Sequence, residues 1–411
     1  MNEFTLLFVL VLILMMAVKF WLAQRQISHV NAHRDTLPPA FASRISLQDH
    51  QLAADYTVAR TRLGRWELFY GSVLLLLWTL GGGLAWLNRL WLDMPLPSLW
   101  QATGLLLSFA LLAGLLDLPF SWYRTFQLEQ RFGFNRNTPT LFIIDLLKGT
   151  LLLLLLGAPL AALVLWLMDS AGSWWWFYVW LVWQGFGLLL MWAYPAFIAP
   201  LFNKFSPLEN TSLSTRIEQL LQRSGFTAAG LYVMDGSRRS AHGNAYFTGL
   251  GRHKRVVFFD TLLERLGDDE IEAVLAHELG HFHHRHIRQR LILNALFSLL
   301  GLALLGQLTD ASWFYQGLGV TQPSMAMALL LFLLVMPVFS FFLQPLLAQR
   351  MRKHEFEADE FAARQSSASD LINALVKLYQ DNASTLTPDP LHSAFYDSHP
   401  PASARIAQLQ Q

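Results

Sequence analysis

Long apolar runs separated by polar stretches dominate this chain. Residues 4–22 form the first run, with Lys19 as its one charge. Further runs cover residues 66–87, 99–118, 141–168, 175–195, 291–308 and 325–347. A hydrocarbon core about 30 Å thick takes about 20 residues of helix to cross. The pattern therefore predicts seven membrane helices. The second is expected to continue through Gly81-Gly82-Gly83, because glycine lets neighbouring helices pack closely. Asp145 and Lys148 open the fourth run. They either face the bundle interior or the interface, or mark a ragged helix start, since lipid would penalise both. The aromatic run Trp174-Trp175-Trp176-Phe177-Tyr178 fits an interfacial belt. The first run has its positive charge at the far end, which predicts an anchor with its N-terminus outside rather than a cleaved leader.

The polar stretches carry the other elements. Residues 26–65 are polar and helical with a break at Leu37-Pro38-Pro39, and residues 121–140 form a second polar stretch. Within residues 201–289, the pattern predicts an amphipathic helix over 213–224 and strands over 229–234 and 255–259. From Ala348 the chain is polar again, with a long helix through Glu355 and a short one from Ala402. The division that follows is 1–200 for membrane helices one to five, 201–289 for a first polar domain segment, 290–347 for helices six and seven, and 348–411 for a second polar segment.

Composition agrees: 54% of the 411 residues are hydrophobic and 14% charged, against about 25% charged in soluble domains. There is no cysteine, which excludes disulfides and thiolate metal ligands. A formal charge of +1 gives no expectation of a nucleic-acid partner. The distribution of charge is more informative. Residues 26–65, 121–140, 201–289 and the C-terminal segment hold nearly all the Lys and Arg, and the opposite face has little beyond Arg89. The basic face is expected to be cytoplasmic.

The chemistry centres on Ala276-His277-Glu278-Leu279-Gly280-His281. On a helix, His277 and His281 lie one turn apart on one face and can share a zinc ion, with Glu278 beside them as the base for a metal-bound water. The acidic start Asp268-Asp269-Glu270 supports a helix here. Glu355 supplies a third ligand, making a His₂Glu site with one open position, the arrangement of catalytic rather than structural zinc. One Zn²⁺ per chain is expected. Asp359, one turn after Glu355, can accept the free N–H of a ligating histidine. Glu357 is expected to face away, and Glu360 is a lesser candidate for that partnership. His283, His284, His286 and His354 crowd the region, none with better ligand spacing. Asn244-Ala245-Tyr246-Phe247-Thr248-Gly249 is either a sheet edge that clamps a substrate backbone through Asn244 or a turn with Tyr246 packed.

These motifs resemble those of Ste24-type CAAX prenyl proteases, integral-membrane zinc peptidases of the M48 group. The resemblance includes Arg131-Phe132-Gly133-Phe134-Asn135-Arg136-Asn137-Thr138, Pro200-Leu201-Phe202-Asn203-Lys204-Phe205, Asn244-Ala245-Tyr246-Phe247, Glu355-Phe356-Glu357-Ala358-Asp359-Glu360-Phe361-Ala362, and Ser398-His399-Pro400-Pro401 with Arg405. It implies an all-α-dominated polytopic protein. Seven transmembrane helices would form a barrel around a chamber, with a cytoplasmic zincin domain containing a small sheet. It implies His277, His281 and Glu355 as zinc ligands and Glu278 as base. Asp359 would orient a histidine, Asn244 hold substrate backbone, His399 donate to substrate or transition state, and Arg352 lie near the site. The expected partners are the bilayer and a peptide or protein substrate that enters the chamber and is cut near its C-terminus. The compact chain suggests a bacterial inner membrane. In that setting membrane-protein quality control is the alternative role, and a non-proteolytic zinc protein or a lipid hydrolase the rival classes. Oligomeric state is left open.

Overall fold

The structure is a computed structural model that describes residues 2–226, 230–248 and 255–411. The predicted strand over 229–234 and the motif ending at Gly249 each extend by one residue outside the described set. Six helices are long and apolar enough to cross a membrane, and a bent helix pair supplies a seventh span. The chain is thus a multi-pass membrane protein.

The spans are α1 (Glu3–Ala32), α2 with α3 (Leu47–Trp78 and Gly83–Leu92), α4 (Ser98–Tyr123), α5 with α6 (Pro139–Leu152 and Ala158–Ser170), α7 (Trp175–Ala193), α12 (His286–Leu308) and α14 (Met325–Ser340). One expectation is corrected here. The second span does not run unbroken through Gly81-Gly82-Gly83. Helix α2 stops at Trp78, and α3 leaves at 49° to it. Gly82, the N-cap of α3, adopts φ 78°, a conformation that glycine enters without steric cost and that redirects the chain between the two helices. Helix α2 also starts at Leu47, well before the apolar run, so its first half stands in polar surroundings. The weakly polar loop after α12 contains helix α13 (Ser312–Gly317), whose Phe314 and Tyr315 are buried.

Neighbouring spans touch in a closed ring: α1, α2 and α3, α4, α6, α7, α12, α14 and back to α1. Between α7 and α12, Trp180 donates to the Ala295 carbonyl at 2.9 Å and Gln184 to Ser298 at 3.0 Å. Such bonds hold helices together where lipid offers no partner. Buried side chains gather at one end of the ring: Phe8 and Leu12 of α1, Leu105 of α4, Val164 and Met168 of α6, Trp175 and Val179 of α7, and Leu305 of α12. Toward the other end α4, α7 and α12 bury almost nothing, while α1 buries Leu22, Ile27 and Val30 against the polar segments. Helix α4 has no buried residue after Leu105 and α7 none after Val179. A solid bundle would bury an inner stripe along the full length of each helix. This ring is packed at one end and open within at the other.

The polar segments assemble at the open end. Short helix α8 (Ala199–Phe202) leads to a four-stranded sheet of β1 (Phe205–Pro207), β2 (Leu231–Met234), β3 (Ala245–Thr248) and β4 (Arg255–Phe259) in the order β1-β2-β4-β3. Strands β2 and β4 pair in parallel, and β3 lies antiparallel to β4 on the edge. Two of the four strands were predicted outright, β3 lies in the stretch read as either a sheet edge or a turn, and the three residues of β1 are too few to show an alternation. Helices α9 (Thr211–Arg223), α10 (Asp260–Leu263), α11 (Asp268–His283), α15 (Gln344–Gln365) and α16 (Ala368–Asp381) cover the sheet, followed by α17 (Pro390–Tyr396) and α18 (Ala402–Leu409). Leu213, Ile217, Val256, Phe258, Ile271, Leu275, Leu279 and Leu375 form their common core.

Asp145 and Lys148 are anchors rather than a ragged start. Asp145 accepts two hydrogen bonds from Arg239, at 2.8 and 3.0 Å, and the same guanidinium donates to Asn203. Lys148 donates to the Leu201 carbonyl at 2.6 Å, filling an acceptor that a helix end leaves open. These contacts tie α5 and the chain after α7 to the polar domain.

Candidate active site

Helix α11 begins with Asp268, Asp269 and Glu270, whose charges suit the positive end of a helix. Glu270 also accepts the Gly267 N–H at 2.8 Å. Apolar Ile271, Leu275 and Leu279 bury one side, which leaves His277 and His281 to face α15. There the two helices meet backbone to backbone. A Cβ on Gly280 would stand 2.8 Å from the Cα of Ala358. This close approach brings Glu355 of α15 under both histidines. His277 Nε2 lies 3.4 Å from Glu355 Oε2, and His281 Nε2 lies 3.4 Å from Oε1. Ligand atoms of the three residues all lie within 4.8 Å of one another.

The donors fit a zinc ion. Glu355 Oε2 is buried and accepts no hydrogen bond, a costly state unless a cation faces it. The other nitrogen of each histidine is engaged elsewhere, so both Nε2 atoms are left for the metal. His277 Nδ1 pairs with Asp359 Oδ1 at 2.8 Å. Arg405 in turn grips Asp359, its Nε 2.7 Å from Oδ2. Burial pulls the His277 pKa down, but the hydrogen bond to Asp359 and the negative charge of nearby Glu355 outweigh it and raise it to about 9.

The other expected residues fall at different distances from this centre. Glu278 is half-buried on α11 beside His277. His399 reaches in from the tail, with Nε2 3.4 Å from Glu355 Oε2 and a side chain 61% exposed. Arg352 points instead at the tail backbone, donating to the carbonyls of Ser393 and Asp397 at 3.3 and 2.8 Å. Asn244 is exposed at the start of β3, and its carbonyl accepts from Phe259 N at 2.9 Å. Among the described residues β3 has one strand neighbour, and Phe247 on it meets Phe282 of α11. A sheet edge rather than a turn therefore runs beside α11, with Tyr246 packed at 6.2 Å on Phe259. Glu360 pairs with Arg364 at the surface, while His283 packs on Phe361.

Three contributors escaped the sequence reading. Arg405 was noted only as part of a motif, and nothing linked it to Asp359. His286 and Glu357 are the others: His286 Nδ1 lies 3.0 Å from His281 Nδ1, and its Nε2 lies 2.8 Å from Glu357 Oε2. Glu357 does not join the three ligands, as expected, but it does not face away from the site.

A ring of membrane helices carrying a His₂Glu centre on two crossed helices defines an integral-membrane zinc metallopeptidase. The comparisons agree with that class. Residues 26–204 match the family described as CAAX prenyl protease N-terminal, five membrane helices, and residues 207–411 match peptidase family M48. The CAAX prenyl protease 1 homolog of Arabidopsis thaliana is 38% identical over 83% of this chain and 80% of its own length. The homolog of Homo sapiens is 30% identical over 94% of this chain and 90% of its own. The crystal structure of S. mikatae Ste24p superposes with a TM-score of 0.91 at 30% identity, covering 100% of this chain and 99% of that one. The chain belongs to the Ste24-type CAAX protease family of M48 zinc metallopeptidases.

Proposed function

We propose that the protein is an endopeptidase of the CAAX-protease type, cutting near the C-terminus of substrates that reach the site through the open interior of the helix ring. The observation that carries this reading is the convergence of His277, His281 and Glu355 within 4.8 Å, beside Glu278 and a sheet edge. When bound there, zinc supplies a Lewis acid for the scissile carbonyl and lowers the pKa of the attacking water.

The chain's own residues supply the rest. The Glu278 carboxylate takes the proton of the water and delivers it to the leaving amine nitrogen. The substrate backbone adds to the β3 edge as a further strand, with Asn244 gripping its start. Ser398 Oγ stands 3.0 Å from His399 Nδ1. A hydroxyl donating there leaves the His399 proton on Nε2, free to donate to the oxygen where charge develops. Arg352 holds the 393–397 segment that delivers His399 and so acts through the tail.

The relatives are named CAAX prenyl proteases, and an open interior within the bilayer suits a peptide with a lipid attached. The test compares the purified parent with Glu278→Gln on a farnesylated CAAX peptide and on its unmodified counterpart. The parent should cleave the lipidated peptide and the variant lose at least about 100-fold in turnover. A variant that cleaves at the parental rate would overturn the mechanism. Equal cleavage of both peptides would favour general membrane-protein quality control, the role suited to a bacterial inner membrane.

A further inference from the structure

Each ligating histidine has a second nitrogen, and the two are held by different means. Asp359 holds His277 directly. Among the described residues His281 has no carboxylate on its Nδ1; that nitrogen meets the Nδ1 of His286 at 3.0 Å, and His286 Nε2 meets Glu357 at 2.8 Å. We infer that His286 and Glu357 form a two-residue relay that positions His281, the counterpart of Asp359 and Arg405 on His277. The inference rests on the zinc site proposed above.

Hydrogen-bond polarity through the chain is consistent from end to end. A His281 that offers Nε2 to a metal keeps its proton on Nδ1 and donates it. His286 must then accept at Nδ1, which puts its own proton on Nε2, where the Glu357 carboxylate accepts it. His286 is fully buried, so water cannot substitute for either partner. The backbone is bent to allow the arrangement. Arg285, between α11 and α12, takes φ 59° and ψ 30°, in the left-handed region that non-glycine residues rarely enter. This turn folds the first residue of α12 back against the last turn of α11.

His286, His354 and Glu357 also lie close enough together to hold a cation. The geometry favours the relay. Both nitrogens of His286 are engaged, and His354 is stacked flat on it, with centroids 3.9 Å apart and planes at 8°. In-plane lone pairs of parallel stacked rings do not converge on one ion.

The experiment measures zinc content, zinc loss to a chelator, and turnover for the protein and five variants. Glu357→Gln should release zinc about 10-fold faster and lower kcat by a similar factor, with KM little changed. Glu357→Asp, which keeps the charge, should recover part of that loss. His286→Phe should release zinc about 100-fold faster, and adding Glu357→Gln to it should change nothing further, because Glu357 acts only through His286. Lys353→Ala is the control, since Lys353 Nζ lies 3.8 Å from Glu357 at the surface; it should match the parent. Should His286→Phe fail to fold, the two Glu357 variants still decide. Zinc loss from Glu357→Gln within twofold of the parental rate would overturn the relay. So would a parent holding two zinc ions, one of which departs with Glu357→Gln, since the cluster would then be a cation site. A parent that binds no zinc would instead remove the proposed centre itself.

Discussion

His277 is held from both sides, with Asp359 and Arg405 behind it and Glu355 in front. In the metal-free protein its pKa of about 9 means that the ring carries a proton at neutral pH. A metal must displace that proton, so zinc affinity should rise with pH up to about 9 and fall as the site acidifies. From this one residue the affinity should increase about 100-fold between pH 6 and pH 8, with about one proton released on binding. Competition titrations across that range and calorimetry in two buffers check both numbers. The carboxylates should separate by role. Glu355→Ala should lose zinc and cleavage together, because a ligand is gone. Asp359→Asn should keep the ligand set and lose roughly 10–100-fold in affinity or turnover. Arg405→Ala should be harsher on folding than Asp359→Asn. It leaves a buried carboxylate without its cation, a loss of about 3–5 kcal/mol, and thermal unfolding should show that order. Among residues, the spacing of His277, Glu278 and His281 was legible because one helix fixes their relation. The partnership of Glu357 was not, since it runs through His286, which the turn at Arg285 brings back to the site.

At the level of elements, the zinc centre depends on how closely α11 and α15 cross. Gly280 is the contact point, and a methyl group there has only backbone to meet: Ala358 Cα at 2.8 Å and Ala358 O at 3.0 Å. Gly280→Ala should force the helices apart, at a cost of about 1–3 kcal/mol in stability. It should also weaken zinc binding, although no ligand is altered. Unchanged zinc affinity and melting temperature in that variant would show that the crossing tolerates separation. Helical runs were legible in the sequence because apolar length and periodicity are local properties. The break at Gly82 was not, because glycine tolerates both a continued membrane helix and a left-handed stop. Strand β1 was missed for a related reason: its three residues carry too little pattern, and pairing alone makes them a strand.

For the whole molecule, the polar segments collect at the open end of the ring, and their Lys and Arg argue that this end faces the cytoplasm. A reporter fused after Glu209 or at Gln411 should read cytoplasmic, and one near Asp310 external. The opposite pattern would move the active site across the membrane. Further contacts fasten the domain to the helices. Asn135 bridges Ser240, and Phe134 stacks on His242 at 4.4 Å. At the tail, Arg25 of α1 pairs with Asp389 at 2.9 Å. The 131–138 and 200–205 motifs thus serve as joints between membrane and catalytic parts.

The sequence by itself determined the number of spans, the presence of a polar domain split by two of them, and the one-turn spacing of His277 and His281 with Glu278 beside them. Each of these follows from composition, periodicity or spacing within one element. Only the tertiary structure decided that the ring is packed at one end and open at the other, since an apolar helix face reads the same against protein, lipid or a chamber. It also decided which groups hold the ligands. Arg405 on Asp359 and Glu357 behind His286 join residues 46 and 71 positions apart, and nothing in local pattern selects one such long-range partner over another.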